Sequence, residues 1–338
     1  MKRLAIVLLL LTAAAAGLFY KLVCVDRQGT FPRPVFVEIP RGARSGQIGE
    51  RLADAGVISH PLLYQLARLT KPVKPVLAGE YRFTAPATPA EVIRRLTAGD
   101  IYRIELRVPE GSNVFDIAAL FERAGLGKAD AFFEAASSPA LISDLAPKAR
   151  NLEGYLFPST YLFRRKIPAI DVCRAMTQQF RHTWRELGGG GPRSNDVAKD
   201  VEHVVTLASM VEKEAVLSDE RPHIAGVYSE RLRIGMKLDC DPTVIYAALL
   251  EDRWTGVIHR SDLDSKHPYN TYQHAGLPPG PIANPGRDSL RAALHALPTS
   301  DLYFVAEPGG TGAHTFSKDF SAHSEAVASY RRDQRKKK

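Results

Sequence analysis

The chain opens with an almost unbroken apolar run, and this run predicts a membrane-spanning helix. Apolar residues fill most positions from 4 to 25, about as many as a helix needs to cross a bilayer. The small residues of "TAAAAG" are also typical of a signal-peptide cleavage site. The apolar residues that follow them favour a retained anchor over residues 1–25. With Lys2 and Arg3 on the cytoplasmic side, the rest of the chain is exported under either interpretation.

Beyond a Gly- and Pro-containing linker at 26–34, a pattern of strand and helix positions occurs twice, 69 residues apart. Residues 37–57 (VEIPRGARSGQIGERLADAGV) align without gaps with residues 106–126 (LRVPEGSNVFDIAALFERAGL). Each copy predicts a short strand, a Pro-x-Gly turn and a helix closed by glycine. The unit is typical of small glycan-binding modules of the LysM kind, and a scaffold repeat that binds nothing is the alternative. We therefore predict a LysM-like module over 35–105.

The most informative helical pattern lies in the second half of the chain and carries "LASMVEKEA" at 207–215. Apolar residues recur at helical spacing from Val201 to Val216. Glu212 projects near the middle of that apolar face, whereas Glu214 projects to its side, so the two acids have different surroundings. Periodicity alone nominates Glu212 as a buried acid with a raised pKa, or as a core acid paired with Arg221 or Arg231. The pattern leaves both open.

Composition is that of a globular chain of about two domains, with 45% hydrophobic and 24% charged residues. The formal net charge of +8 comes largely from a basic tail at 331–338, which carries six positive charges and one negative charge. A terminal run of this kind is usually solvated and mobile, and without it no electrostatic footprint for nucleic acid remains. The three cysteines and ten histidines show no metal-ligand spacing. A further stretch, "GGGGP" at 188–192, predicts a break in the chain.

Several segments of the second half combine acids, amides, hydroxyls and aromatic rings. "NLEGYLFPSTYLF" surrounds Glu153 with rings, "HPYNTYQHAGLPPGPIANPG" predicts a long loop at 267–286, and "YFVAEPGGTGAHTFS" predicts a hairpin at 303–317. Long loops inside a compact domain are usually functional. The chain has no nucleophile elbow, P-loop or dinucleotide fingerprint. A lining of polar groups and rings suits a carbohydrate.

These motifs carry a resemblance to a known family. "ASMVEKEA", "ERLRIGMKLDCDPTVIY", "YNTYQHAGLPPGPIANPGRDSLRAALH" and "YFVAEPGGTGAHTFS", with "EGYLFPSTY" upstream, resemble the YceG-like endolytic murein transglycosylases. The resemblance implies an α+β fold: a single transmembrane helix, a small LysM-like module and a mixed α+β catalytic domain over 106–330. It also implies that Glu214, rather than Glu212, is the catalytic glutamate.

The activity that the resemblance implies is non-hydrolytic cleavage within nascent peptidoglycan glycan strands. Glu214 would protonate the oxygen of the bond between N-acetylmuramic acid and N-acetylglucosamine. It would then take the proton of the muramoyl C6 hydroxyl, closing a 1,6-anhydro ring. A single carboxyl would serve both steps, although Asp239, Asp241 and Glu153 stay open as second carboxylates. Substrate contacts are expected from Glu153, Asp241, Thr243, Tyr269, Asn270, Thr271, Tyr272 and His314.

The resemblance implies no cofactor and no metal. Expected partners are glycan strands and penicillin-binding proteins, at the bacterial inner membrane with the catalytic domain outside the cytoplasm, where cleavage would end strand elongation. Two other functions stay open: a muramidase that hydrolyses the same bond with water, and a non-catalytic wall-binding scaffold. No role is assigned to Cys240.

Overall fold

The computed structural model describes residues 2–29, 31–70, 74–188 and 200–336. Two compact units make up the chain, Met1–Ile104 and Glu105–Lys338. The predicted break "GGGGP" lies outside the described residues from Gly189 onward. The expected basic tail is revised, because Arg331 to Lys336 continue a terminal helix. Its last two residues, 337 and 338, lie outside the described ranges.

The first unit begins with the apolar helix α1 (Lys2–Tyr20), which is followed by a π-helical turn, Lys21–Val25. Side chains of α1 are exposed throughout most of its length, and the segment Lys2–Val25 is long and apolar enough to cross a membrane. At 1.5 Å per residue, α1 alone is about 28 Å long, close to the thickness of a bilayer's hydrocarbon core. Val23 is fully buried in the core of the first unit.

The remainder of the first unit is a small two-stranded sheet with helices packed on it. Its elements are β1 (Val35–Ile39), α2 (Ser45–Asp54), α3 (Pro61–Thr70), β2 (Gly79–Phe83) and α4 (Pro89–Ala98). β1 and β2 pair antiparallel, with Val37 opposite Tyr81. Alternate residues of both strands point inward, which is the period of two that a half-buried strand requires. Gln28, within the predicted linker, pairs with Ala87 in an isolated bridge.

The second unit is larger and mostly helical. It contains β3 (Ile104–Arg107), α5 (Val114–Arg123), α6 (Ala129–Ser137), β4 (Thr160–Phe163), α7 (Ala169–Glu186), α8 (Val201–Glu214), α9 (Arg221–Arg233), α10 (Asp241–Leu250), α11 (Arg260–Asp264), α12 (Arg287–Leu294), β5 (Tyr303–Ala306), β6 (His314–Ser317) and α13 (Phe320–Lys336). β3 pairs with β4, and β5 pairs antiparallel with β6 as the predicted hairpin. The chain thus has a mixed helix-and-strand fold with one N-terminal apolar helix.

The internal repeat found in the sequence has a structural counterpart. α5 begins and ends 69 residues after α2, and the turn glycines Gly42 and Gly111 share a left-handed φ of 75° and 72°. Positive φ is readily adopted only by glycine, which explains why the repeat keeps this residue. Each copy continues with a second helix and a strand that pairs with the first. The repeat is therefore a strand, two helices and a strand, longer than the sequence alignment indicated.

A buried polar cluster joins distant parts of the second unit. Glu153 is 1% exposed and accepts hydrogen bonds from the backbone N–H of Val114 at 2.9 Å, the hydroxyl of Tyr246 at 2.9 Å and the amide of Asn284 at 2.8 Å. The side-chain oxygen of Asn284 accepts from the N–H of Leu156 at 2.8 Å. A buried carboxyl needs such partners to offset the loss of water. This cluster fixes the start of α5, α10 and the 267–286 loop against one another.

Burial raises the pKa of Glu153 to about 7, although its hydrogen bonds to Val114, Tyr246 and Gly154 lower that pKa. In Glu153→Gln, an amide NH2 would face at least one of the buried donors, so we expect a loss of about 1–3 kcal/mol of unfolding free energy at acid pH. Because the folded state holds this proton more tightly than the unfolded state, wild-type stability falls as pH rises from the ordinary pKa of 4.5 to about 7.

The difference in unfolding free energy between wild type and Glu153→Gln should therefore shrink over that pH range. Urea unfolding of the full-length proteins in detergent, followed by circular dichroism at several pH values, measures it. Glu122→Gln, which changes an exposed acid beside Lys128, is the control and should show no such trend. A difference that stays constant with pH would contradict the assignment of this titration to Glu153.

Candidate active site

Glu214 is the last residue of α8, a helix whose residues from Val204 to Val211 are all buried. The side chain of Glu214 is half-buried. Its Oε1 accepts hydrogen bonds from the Tyr228 hydroxyl and the Cys240 thiol, each at 3.3 Å. Its Oε2 has no hydrogen-bond partner within the described residues, and the residue as a whole is partly exposed. One oxygen of this carboxyl is thus held from inside, and the other is available to a ligand.

The surroundings of Glu214 favour its protonated form. Burial raises the pKa of Glu214, and the nearby negative charge of Asp241 raises it further. Hydrogen bonds from Cys240 and Tyr228 and the closeness of His314 lower that pKa in part. The direction overall is upward, which is what a general acid requires near neutral pH.

Glu212, two residues before Glu214 on α8, has a different environment. Its Oε1 lies 3.5 Å from the guanidinium of Arg221, and its Oε2 accepts from the N–H of Gly286 at 2.9 Å. Both side chains of the ion pair are about nine-tenths buried. Of the two arginines that the sequence offered as partners, Arg221 makes the contact. Glu212 is a structural acid that attaches α8 to the beginning of α9 and to the turn before α12.

Asp241 is the first residue of α10 and directly follows the turn that contains Asp239 and Cys240. Its Oδ1 accepts a hydrogen bond from the Tyr272 hydroxyl at 2.7 Å. The residue two positions earlier, Asp239, has a left-handed φ of 47°, which aspartate tolerates better than most residues. This turn brings Cys240 and Asp241 to Glu214 from two adjacent positions. Asp241 is thus the predicted site residue whose negative charge acts most directly on Glu214.

Thr243 and Thr271 hold the turn from behind. The two hydroxyls are 2.9 Å apart, Thr243 donates to the Cys240 carbonyl at 2.6 Å, and Thr271 accepts from the Cys240 N–H at 3.0 Å. Thr243 is fully buried and Thr271 is 1% exposed. The expected direct contact of these residues with a substrate is therefore revised, because their hydroxyls are used inside the protein.

The loop residues Tyr269 to Tyr272 include both buried residues and half-buried ones. Asn270 is fully buried, and its amide donates to the carbonyls of Asp262, Leu263 and Ser265. It fixes the loop rather than lining a cleft, so its expected substrate contact is also revised. Tyr269 and Tyr272 are half-buried. Part of each ring is free to meet a ligand.

His314 begins β6 and is oriented by Glu220. Its Nδ1 lies 2.7 Å from Glu220 Oε2, and its backbone N–H donates to Glu220 Oε1 at 2.9 Å. The histidine is close enough to Glu214 to lower the pKa of that carboxyl. The expected contact of Glu153 with a substrate is revised, since its carboxyl is enclosed in the buried cluster described above.

Sequence reasoning missed Tyr228, Cys240 and Glu220. Tyr228 lies on the next helix, and nothing in its periodicity distinguishes it from a core tyrosine. Cys240 adjoins Asp241, and only its place in that turn could have indicated a role. Within the described ranges, no group of three or more His, Cys, Asp or Glu side chains could hold a metal ion. The chemistry that the arrangement supports is proton donation and recovery by one carboxyl.

Comparisons with known proteins find relatives over most of the chain. The model of the YceG-like family matches residues 37–329. The endolytic murein transglycosylase of Bacillus subtilis (strain 168) is 33% identical over 313 residues, covering 88% of this chain and 84% of that protein. The protein of the same name from Streptococcus pneumoniae (strain D39) is 29% identical over 311 residues, covering 81% of this chain. The aligned region spans 54% of that relative's length.

A solved structure is also similar. The crystal structure of a YceG-like protein from Listeria monocytogenes has a TM-score of 0.57 and 28% sequence identity to this chain. The alignment covers 87% of this chain and 99% of the solved one.

Arg221→Met should strongly destabilise the protein, because it leaves Glu212 buried without its cation. Loss of one partner of a buried pair costs about 3–5 kcal/mol. Arg233→Met, on the same helix, removes an arginine that is 69% exposed and pairs with Glu230, so it should cost less than about 1 kcal/mol. Urea unfolding of both variants measures the difference. Equal, small effects would contradict a structural role for Glu212.

Asp241→Asn should lower the pKa of Glu214, because it removes a negative charge that raises that pKa. A 13C NMR titration of glutamate carboxyl carbons checks this, with the Glu214 signal assigned by its loss in Glu214→Gln. Asp239→Asn is the matched control, since the carboxyl of Asp239 lies 3.8 Å from the Arg231 guanidinium. An unchanged titration in Asp241→Asn would show that the two carboxyls do not interact.

Proposed function

The chain belongs to the YceG-like family, and we propose that it is an endolytic peptidoglycan lytic transglycosylase. The observation that carries the proposal is Glu214, a half-buried carboxyl whose pKa is raised by burial and by Asp241, and whose Oε2 has no hydrogen-bond partner within the described residues. The names of the relatives from Bacillus subtilis and Streptococcus pneumoniae, both endolytic murein transglycosylases, support the same activity.

In the proposed reaction, Glu214 acts first as general acid and then as general base. Its proton passes to the glycosidic oxygen as the bond from that oxygen to C1 of N-acetylmuramic acid breaks. The resulting carboxylate then accepts the proton of the C6 hydroxyl of the same sugar, and O6 bonds to C1. The 1,6-anhydro ring closes without water. A single carboxyl suffices because the nucleophile belongs to the substrate, whereas hydrolysis normally needs a second carboxylate.

The exposed parts of the site would contact the substrate. We assign Asp241, Tyr269 and Tyr272 to the cleft surface, because their side chains retain exposed area and rings stack on the apolar faces of sugars. Thr243, Asn270 and Thr271 hold this surface from behind. Glu153 does not contact the substrate; it acts indirectly, through the buried cluster. His314, fixed by Glu220, supplies a polar group beside Glu214.

The N-terminal helix supports a single-pass anchor in the inner membrane. Lys2 and Arg3 would keep its start in the cytoplasm, leaving the rest of the chain outside. Because Val23 is buried in the core of the first unit, only a few residues separate the anchor from that unit. A tether this short keeps the first unit close to the bilayer, where new glycan strands emerge. Penicillin-binding proteins are the expected partners, and cleavage there would end strand elongation.

The first unit fits a LysM-like, glycan-binding module. Its β1, α2, α3 and β2 form a strand, two helices and a paired strand. A groove of about 500 Å³ follows the β1–α2 turn and the exposed side of α2, with Arg41, Gln47, Glu50 and Arg51 among its lining residues. Hydrogen-bond donors and acceptors along an open groove suit sugar hydroxyls.

A muramidase is the second candidate function. Asp241 interacts electrostatically with Glu214 and is a second carboxylate that could activate water. The two reactions differ in product mass, because an anhydro end is lighter by one water than a reducing end. A non-catalytic scaffold would bind strands and release neither product.

Glu214→Gln should abolish cleavage of purified glycan strands, because glutamine has no proton to donate at this position. A loss of at least about 100-fold in kcat is expected for removal of a general acid. Mass spectrometry of the products, with the full-length protein in detergent, measures both rate and chemistry, and anhydro ends should dominate in wild type. Glu230→Gln, on the surface of α9, is the control. Cleavage that survives Glu214→Gln would overturn the assignment, and reducing ends would favour the muramidase.

A further inference from the structure

The two hydrogen bonds to Glu214 are unevenly distributed between its oxygens. The Tyr228 hydroxyl and the Cys240 thiol both lie 3.3 Å from Oε1, while Oε2 has no partner within the described part of the chain. The hydroxyl and the thiol also interact with each other. A carboxyl in such a setting has two chemically distinct oxygens.

Both donors are held rigidly. Cys240 is fully buried, and its peptide groups are bound on either side by Thr271 and Thr243. Tyr228 is 1% exposed, and its ring meets the edge of Phe304 at a centroid distance of 5.7 Å. Both side chains are enclosed by the interior of the unit, so their approach to Oε1 belongs to its fold.

Both groups also stay protonated. Burial raises the pKa of Tyr228 and that of Cys240 well above their ordinary values, and the Glu214 charge raises both further. A protonated hydroxyl or thiol can donate to Oε1 whether Glu214 is charged or neutral. An oxygen that already receives two donors accepts a proton less readily than a free oxygen does.

We propose that Tyr228 and Cys240 are positioning residues that keep Oε1 as an acceptor, so that Oε2 carries the acid proton and performs both proton transfers. The proposal rests on the proposed function of Glu214. The Oε2–H bond breaks as the glycosidic oxygen gains the proton, and Oε2 regains a proton from the C6 hydroxyl as O6 bonds to C1. The proton balance over the cycle is zero, and Oε1 keeps its donors throughout.

The two donors should act mainly on kcat. Without them the acid proton would be shared between both oxygens, and the carboxylate formed after donation would lose stabilisation. Each of Tyr228→Phe and Cys240→Ala should lower kcat about 3- to 10-fold, which corresponds to the net contribution of one hydrogen bond. The double variant should lose more than either single variant. KM should change little, because both donors contact the oxygen that faces the interior.

The pH profile separates this role from a merely structural one. Donors to a carboxylate lower its pKa, as Cys240 and Tyr228 do for Glu214. Removing either should therefore raise that pKa and move the alkaline limb of the kcat profile to higher pH. Cys240→Ser keeps a donor and should return both kcat and the alkaline limb toward wild type.

Matched controls come from the same unit. Tyr155→Phe removes a buried hydroxyl that has no hydrogen-bond partner within the described residues, and Cys173→Ala removes another fully buried thiol. Both should leave the alkaline limb in place. Thermal unfolding of every variant confirms that the protein is folded at the assay temperature.

The outcomes distinguish failure of the positioning proposal from failure of the proposed function. If Glu214→Gln is inactive but the double variant keeps the wild-type rate and pH profile, the positioning proposal is overturned and the proposed function stands. The positioning proposal is likewise overturned if Cys240→Ser behaves like Cys240→Ala. If Glu214→Gln still cleaves, the proposed function itself fails. A raised alkaline limb with serine rescue supports the inference.

Discussion

The hydrogen bonds between buried Glu153 and its partners are the constraint on which the second unit depends. They join the start of α5, Tyr246 of α10 and Asn284, which is 131 residues away from Glu153 in sequence. Asn284 also binds the backbone of Ser112, next to the turn of the second repeat. A carboxyl with this much enclosure is costly to desolvate, and three donors offset that cost. Because these segments meet here, α10 and the loop after it can deliver their side chains to Glu214.

The last turn of α8 carries two acids that experience opposite conditions. Glu212 receives a guanidinium and a backbone N–H, both of which stabilise a negative charge. Glu214 receives only a hydroxyl and a thiol, and it lies near the charge of Asp241. The first arrangement favours folding, and the second raises the energy of the carboxylate so that the proton is available for chemistry. The end of one helix can hold both because residues two positions apart project in different directions and so meet different neighbours.

The sequence predicted the local features well and the long-range contacts poorly. The repeat, its glycines and the hairpin follow from short-range patterns, and the structure confirms them. Periodicity favoured Glu212 as the acid, because burial can be read from spacing whereas a partner such as Arg221 cannot. Thr243, Asn270 and Thr271 looked like substrate ligands, since polar loop residues give no sign in sequence of whether their hydrogen bonds point inward. Tyr228 and Glu220 could be identified only from the folded structure, because each meets its partner only through tertiary packing.

The two copies of the repeat show how one backbone unit can serve two purposes. In the first copy, the turn at Arg41 and Gly42 borders an open groove. In the second, the N–H of Gly111 donates to the Asn284 carbonyl at 3.0 Å, and its carbonyl accepts from Lys213 at 3.2 Å. The same left-handed glycine that borders a groove in the first copy therefore lets the second turn approach the end of α8 closely. That contact falls on Lys213, the residue between the two acids, so the repeat's turn helps to fix the helix end from which Glu214 projects.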